Sequence, residues 1–453
     1  MDTLEALQSG QLSGHTHLRL SEHLTQFPNE ILELADSLEF LDLSNNHLQH
    51  LPDSFSQLRK LRIVFFNNNQ FEAFPAVLST CPNLSMVGFK NNSIATIGND
   101  DLSPTIRWLI LTNNQLEALP TEIGRLTKLQ KLMLAGNRLQ SLPTELTHCK
   151  NLELIRLSAN QLSQFPSELL TLPRLSWLAY AGNPFCEAHL SSSNASRERS
   201  LPIIHWCELD IGDSLGQGAS GVIYEGQWHP TDSQGGSCAP QNVAIKVFKG
   251  DITSDGSPLD EMQACIAAGN HPNLVTVLGK LDGHPEEKAG LVFAMLPPSY
   301  TTLGNPPSLE SCTRDTYPDD TLFPLSRILA IATGVAAAAA HLHDHGIMHG
   351  DLYAHNVLIT DEGTSILSDF GAASFYDATH KVIDNHLEML DVRAFGCLLE
   401  ELLDRCISDQ IAGSNDATLL NRLRHLQVDC MSPVLAQRPR FKTICDGLSR
   451  MTP

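Results

Sequence analysis

The sequence predicts two domains of different build: an α/β solenoid of short stacked repeats, then an α+β domain that carries a glycine-rich loop. Three observations predict this. The pattern L-x-x-L-x-L-x-x-N-x-L, with apolar substitutions, recurs seven times in the first half. It stops after Asn183 and gives way to small, polar and charged residues at 191–200. Beyond them a glycine-rich run, Gly216-Gln217-Gly218-Ala219-Ser220-Gly221, sits between segments rich in strand formers.

The repeats come first because they fix the architecture. Their asparagines are Asn46, Asn69, Asn92, Asn114, Asn137, Asn160 and Asn183, spaced by 22 or 23 residues. Several units continue into an apolar-proline pair: Leu51-Pro52, Phe74-Pro75, Leu119-Pro120, Leu142-Pro143 and Phe165-Pro166. The pattern resembles the leucine-rich-repeat family, with a degenerate cap around residues 18–28. A single unit cannot bury its apolar positions, so neighbours must stack into one continuous core. In the second unit Leu61, Val64, Phe66 and Phe71 are expected inside. The asparagine amides are expected to satisfy backbone groups of adjacent turns.

The variable strand positions are where a binding surface would lie. The third position of each unit reads Phe40, Ile63, Met86, Trp108, Lys131, Leu154 and Trp177, and the fifth adds Phe65, Ile110 and Met133. An apolar stripe at positions expected to be exposed on the concave face points to docking of a protein partner, or of the C-terminal domain.

Composition bounds the rest. The 453 residues suffice for two or three domains. Residues 1–200 carry a net charge of −4 and residues 201–453 one of −17. A domain this acidic repels phosphates, so nucleic acid and anionic membranes are not expected as partners. The eleven cysteines are an odd number without metal-ligand spacing and are expected to be reduced. The first ten residues are mixed and polar and carry no secretory pattern. Residues 328–340 are apolar but too short to span a bilayer, so a buried helix and a cytoplasmic protein are expected.

In the second half, Val222-Ile223-Tyr224 follows the glycines. A strand there favours a hairpin over a dinucleotide fingerprint, which needs a helix at that point. Val243-Ala244-Ile245-Lys246 reads as a strand ending in a lysine, and Glu261 lies in a helical stretch beyond it. Further on come His349-Gly350-Asp351, Asn356 and, thirteen residues later, Asp369-Phe370-Gly371. Two carboxylates and an amide suit a hard cation. Asp391 to Gly396 and Arg438-Pro439 complete the order.

Together these elements, over about 240 residues, resemble the eukaryotic protein kinases. The resemblance implies a two-lobed α+β fold and the use of ATP and Mg2+. Gly216, Gly218 and Gly221 would cap the phosphates. Lys246 would hold the α- and β-phosphates, fixed by Glu261, with Asp260 as the alternative. Ala244, Phe293 and Met295 would line the adenine pocket, Asn356 and Asp369 would ligate magnesium, and Asp351 would orient the attacking hydroxyl. The expected boundaries are 1–188 for the repeats, 189–204 for a linker and 205–453 for the kinase-like domain.

Three departures from the kinase pattern stand out. Gly350 replaces the arginine before Asp351. Tyr353 replaces the lysine two residues after it, and His355 could supply that charge only when protonated. No Ala-Pro-Glu is present, and Asp391 follows Asp369 by only 22 residues. Arg438 then lacks its usual partner, and Glu388 is the substitute expected. Residues 297–320, polar and proline-bearing, read as a flexible insert. The expectation is a serine/threonine-type protein kinase with recruiting repeats and a protein substrate. An ATP-binding pseudokinase scaffold and a small-molecule phosphotransferase are the alternatives.

Overall fold

A computed structural model describes residues 3–186, 201–218, 220–230, 238–250, 252–376, 384–407 and 414–451. The chain divides into two compact units: Met1–Leu175 with Asn183–Phe185, and Ser176–Gly182 with Cys186–Pro453.

In the first unit, three-residue strands pair in parallel and in sequence order, from His17–Arg19 through Phe40–Asp42, Ile63–Phe65, Met86–Gly88, Trp108–Ile110 and Lys131–Met133 to Leu154–Arg156. Most chain returns are 3-10 turns, such as Asp53–Gln57, Thr121–Arg125 and Thr144–His148, and each of these follows a proline: Pro52, Pro120 and Pro143; the return from Met86–Gly88 to Trp108–Ile110 has none. Proline suits this point because its fixed φ matches the turn entry and its missing N–H would have no partner there. The apolar-proline pairs therefore mark the turn starts. Leu61, Val64, Phe66 and Phe71 are fully buried, as expected.

The asparagine ladder is built as the sequence requires. Asn137 Nδ2 donates to Leu111 O at 2.8 Å and Leu134 O at 2.9 Å, while its Oδ1 accepts from Leu116 N at 3.1 Å. A second ladder was not anticipated. Asn45, Asn68, Asn91 and Asn113, each one residue earlier, take positive φ of 54–60° and are linked side chain to side chain at 2.7–2.8 Å. Ala159 holds the same backbone position at φ 53° without the tolerance of asparagine for it.

The apolar stripe differs from expectation. Phe40, Met86, Leu154 and Trp177 are buried, each at most 4% exposed, and Met133 is at 8%. Ile63, Phe65, Trp108 and Ile110 are half-buried. Large residues at one position in successive strands cover each other. Phe40 stacks on His17 at 5.4 Å and meets Phe65 edge-on at 5.9 Å, and the Lys131 ammonium sits 4.3 Å over the Trp108 ring.

The second unit has the expected two-part build. A six-stranded sheet runs in the order Leu209–Gln217, Gly221–Trp228, Gln241–Phe248, Gly290–Ala294, Val277–Asp282, Ile203–His205. Ile204, Leu209, Val243, Ile245, Val247, Leu281 and Val292 form its core. Helices Leu325–Asp344, Asp384–Asp404 and Phe441–Ser449 pack together beyond it. Helix Leu325–Asp344 is long and apolar enough to cross a membrane, but its apolar face (Ile328, Ile331, Ala332, Val335, Leu342) is buried against its neighbours. Among the described residues no cysteine is joined in a disulfide.

Ile203 and Ile204, expected in the linker, form with His205 the strand that runs parallel to Val277–Asp282 in the second unit. Trp177–Ala179 is the last strand of the eight-stranded repeat sheet, while Ser176–Gly182 groups by its contacts with the second unit. Residues 189–200 of the expected linker, with the polar stretch 191–200, lie outside the described residues.

Residues 297–320 are packed in place. Arg314 pairs with Glu400 and Glu401, each at 2.7 Å, and donates to Cys397 O at 2.9 Å, while Tyr317 OH donates to Glu401 at 3.0 Å. Cys312, Thr313 and Asp315 are buried. The polar composition that suggests a flexible insert is the material of a partly buried ion network.

Two substitutions test the ladders. Asn137→Ala removes three buried hydrogen bonds and should cost about 3 kcal/mol, whereas Ala159→Asn relieves left-handed strain and should gain about 0.5–1 kcal/mol. Equilibrium urea unfolding of the full chain reads both.

Candidate active site

The glycine-rich segment is the turn of a hairpin. Gly216 pairs with Ile223 and Gln217 with Val222, and Gly218 N donates to Gly221 O at 3.0 Å. The three glycines serve different ends. A Cβ on Gly221 would sit 2.5 Å from Val247 O, so the neighbouring strand requires it. A Cβ on Gly216 or Gly218 would meet no protein atom within 4 Å. Nothing in the fold demands these two glycines, which suits backbone left open for close approach of phosphates.

Strand Gln241–Phe248 carries Asn242, Ala244 and Lys246 on one face by its period of two. Lys246 forms an ion pair with Glu261, and both are nearly buried. Glu261, not the alternative Asp260, is the partner. Ser257 caps the helix that supplies it, accepting from Leu259 N at 3.2 Å, with Pro258 in the first turn. Burial disfavours the Lys246 ammonium, but the facing Glu261 and then Asp369 outweigh it and hold its pKa above the usual lysine value. Ala244 pairs directly with Phe293 across the adjoining strand. Met295 lines a cavity of about 640 Å³ together with Leu215, Glu225, Asn242, Leu296 and Pro298.

The catalytic loop brings the expected acids and amide together. Asn356 Nδ2 donates to Asp351 O and to Asp351 Oδ2, both at 2.9 Å. Strands Val357–Ile359 and Ser365–Leu367 pair with Val357 opposite Leu367, so Asn356 faces Ser368, which bonds back to Asn356 O through N and Oγ at 2.9 Å. Asp369 follows at φ 58°, its Oδ1 accepting from Gly371 N at 3.0 Å. A non-glycine residue in that region is strained and persists where its surroundings over-determine it. His349 Nδ1 accepts from Asp351 N at 3.2 Å and its Nε2 donates to Ser368 O at 3.1 Å, which sets the tautomer.

Asp391 anchors this loop. The side chain is fully buried. Its Oδ2 accepts from His349 N at 2.7 Å and His343 Nε2 at 3.0 Å, and its Oδ1 accepts from Gly350 N at 3.0 Å. Burial alone would raise its pKa, but the His343 hydrogen bond and charge, with the His349 amide, hold it below the usual aspartate value.

The departures have physical reasons. Gly350 has φ +71°, and a Cβ there would lie 2.3 Å from Leu178 O and 2.8 Å from Ala372 O. No arginine fits. Tyr353 is buried and stacks face to face on Trp177, centroids 4.3 Å apart. The His355 ring is held by Asp315: Nδ1 lies 2.7 Å from Oδ1, and His355 N donates to Oδ2 at 3.0 Å. Burial opposes its charge, but Asp315, then Asp351 and Asp369, raise its pKa above the usual histidine value. Asp315 was not foreseen, because it lies 40 residues away in a stretch that reads as loop. Arg438 donates to Met389 O and Ser432 O, both at 2.8 Å, while Glu388 accepts from Phe441 N at 2.7 Å and pairs with Arg440 at 3.9 Å. Glu388 thus serves the neighbouring segment and not the expected arginine. Residues 377–383, where a peptide-docking segment would run, lie outside the described residues.

The residues present fit a nucleotide with a hard cation. The glycine turn leaves backbone open, Lys246 is held charged by Glu261, and the Asn356 amide lies beside the Asp351 carboxylate. Among the described residues no cluster of three His, Cys, Asp or Glu side chains could hold a metal unaided. A site completed by phosphate oxygens has that character.

Fold and site together define a domain of protein-kinase build. Residues 209–393 match the family of protein tyrosine and serine/threonine kinases, and residues 37–58, 104–162 and 127–185 match leucine-rich repeats. The chain carries leucine-rich repeats followed by a protein-kinase domain. It is similar to fibroblast growth factor receptor 1 of Pleurodeles waltl and of Xenopus laevis, at 25% identity in each case over 54% of this chain and 34% of the receptor. It is also similar to a probable LIM domain-containing serine/threonine-protein kinase of Dictyostelium discoideum, at 26% identity over 54% of this chain and 39% of that protein. The chain thus spans between a third and two fifths of the length of these relatives.

Two substitutions probe the anchor. Asp391→Asn leaves a donor facing donors and should cost about 3 kcal/mol at pH 7. The depressed pKa means the charged carboxylate stabilises the fold above the ordinary aspartate value of about 3.9 and loses that effect as pH falls. The deficit of the variant in urea unfolding should therefore be flat from about pH 8 to 5 and shrink below about pH 4. Gly350→Arg should lower the thermal midpoint and restore nothing, because its Cβ already collides with Leu178 O.

Proposed function

We propose that the chain is an ATP- and magnesium-dependent protein kinase of serine/threonine type, cytoplasmic, whose repeats recruit a protein partner or substrate. The observation that carries this reading is the network joining Asp351, Asn356, Ser368 and Asp369, with the Lys246–Glu261 pair intact. ATP supplies the γ-phosphoryl group, and magnesium neutralises charge on its phosphates. Lys246, kept charged by Glu261, binds the α- and β-phosphates. The amides around Gly216 and Gly218 donate to phosphate oxygens. Asn356 and Asp369 offer oxygen ligands to the cation. Asp351, its carboxylate steadied by Asn356, orients the hydroxyl of a substrate side chain and takes its proton. Cysteines outside any disulfide suit a reducing compartment. The half-buried Ile63, Phe65, Trp108 and Ile110 are the part of the apolar stripe that a partner could still reach.

A second reading, an ATP-binding scaffold, is favoured by one feature: Tyr353 puts a neutral ring where the kinase pattern has a cation. Purified protein with γ-labelled ATP and magnesium, alone and with a generic basic protein, separates the two. Under the kinase reading label transfers to serine and threonine and falls at least 100-fold in Asp351→Ala and Asp369→Ala. Label on tyrosine would overturn the assigned type. Absence of transfer, with ATP-dependent thermal stabilisation that weakens in Lys246→Ala, would establish the scaffold.

A further inference from the structure

Ser176–Gly182 continues the repeat pattern in sequence, yet its side chains and backbone bind the parts of the second unit that carry the catalytic acids. Trp177 is 1% exposed. Its ring lies parallel to Tyr353, at 4.3 Å and 6°, and its Nε1 donates to Leu352 O at 3.1 Å. The indole thus grips the two residues that follow Asp351. Leu178 O occupies the space where a Gly350 side chain would begin. Tyr180 reaches a second element: its N donates to Ser374 Oγ at 3.1 Å, and its hydroxyl donates to Phe375 O at 3.2 Å. One short strand therefore ties residues 350–353, around Asp351, to residues 374–375, just beyond Asp369.

We propose that Ser176–Gly182 is a positioning strap that locks the catalytic loop to the segment after Asp369, with Trp177 and Tyr180 as its positioning residues. The catalytic consequence rests on the kinase reading above; the structural consequence does not. The two departures at Gly350 and Tyr353 are then one adaptation. The first residue gives up its side chain so that the strap can approach, and the second supplies the ring on which the strap stacks. Neutral packing does the tethering, so the tie needs no added charge to form. The strap lies beside the acids and does not cover them: Asp351 is half-buried and Asp369 exposed. That argues for positioning over occlusion.

The test uses the full chain as wild type, Trp177→Ala, Trp177→Phe and Tyr180→Phe, with two readouts. In hydrogen–deuterium exchange, Trp177→Ala should raise exchange at least 10-fold in both 349–356 and 370–376 and leave the strands of residues 221–248 unchanged. In label transfer, the same variant should lower kcat at least 10-fold with KM for ATP within twofold, because the strap touches neither Lys246 nor the glycine loop. Trp177→Phe keeps a stacking ring and should recover most of kcat and of the protection. Tyr180→Phe should loosen 370–376 more than 349–356. If Trp177→Ala does not fold, the two phenylalanine variants carry the test. Faster exchange confined to 352–353, or none, would overturn the proposal. A rise in kcat would overturn it too and make the strand a cover. If the wild type transfers no label, the kinase reading fails, and the exchange pattern alone decides the strap.

Discussion

A buried carboxylate without partners is among the costliest groups a protein can hold, and Asp391 sits fully buried beneath the catalytic loop. It is tolerated because three donors converge on it: the amides of His349 and Gly350 and the imidazole of His343. The bargain runs both ways. The amides of a loop that makes few regular backbone hydrogen bonds gain an acceptor, and the loop gains one permitted position. From that position the rest follows. His349 reaches Ser368, Ser368 reaches Asn356, Asn356 reaches Asp351, and Asp369 begins where this chain of bonds ends. Asp351 and Asp369 lie on loops, but the loop that carries Asp351 is placed by a buried charge on a helix.

On the sheet the same principle recurs with opposite emphasis. Lys246 and Glu261 come from a strand and a helix that would otherwise meet through apolar side chains. Each charge pays for the burial of the other. One Glu261 oxygen is buried without a hydrogen-bond partner among the described residues. Such a group is expensive in a structural role and useful at a site that closes around a polar ligand. The pair is thus weak evidence for stability and stronger evidence for function.

Periodic features were legible in the sequence, and features made by distant convergence were not. The asparagine spacing and the apolar-proline pairs each encode a local backbone event, so the ladder and the turns could be read directly. Lys246, Glu261, Asp351, Asn356 and Asp369 were legible because their order matches a known pattern, and the structure brings them into two adjoining clusters. Asp315 carries no local signal: its role exists only because Arg314 and Tyr317 are pinned to Glu400 and Glu401. The burial of Phe40, Met86, Leu154 and Trp177 was missed for a related reason. Strand position says which way a side chain leaves the sheet, but not what it meets. Gly350 and Tyr353 read as losses in one dimension, and the close approach of Leu178 and Trp177 gives them a cause.

Charge sets the last constraint. Residues 201–453 carry a net charge of −17, a field that opposes any polyphosphate. Affinity for a nucleotide must therefore come from short-range groups that act inside the screening distance: oriented amides at the glycine turn, a lysine held charged by its partner, and a histidine whose pKa is raised by Asp315. Asp351 and Asp369 would repel a bare phosphate chain, but they become favourable once a divalent cation lies between acid and phosphate. An acidic cleft thus discriminates between free and metal-bound nucleotide more sharply than a basic one would. The excess of carboxylates is compatible with ATP on the condition that the cation enters with it.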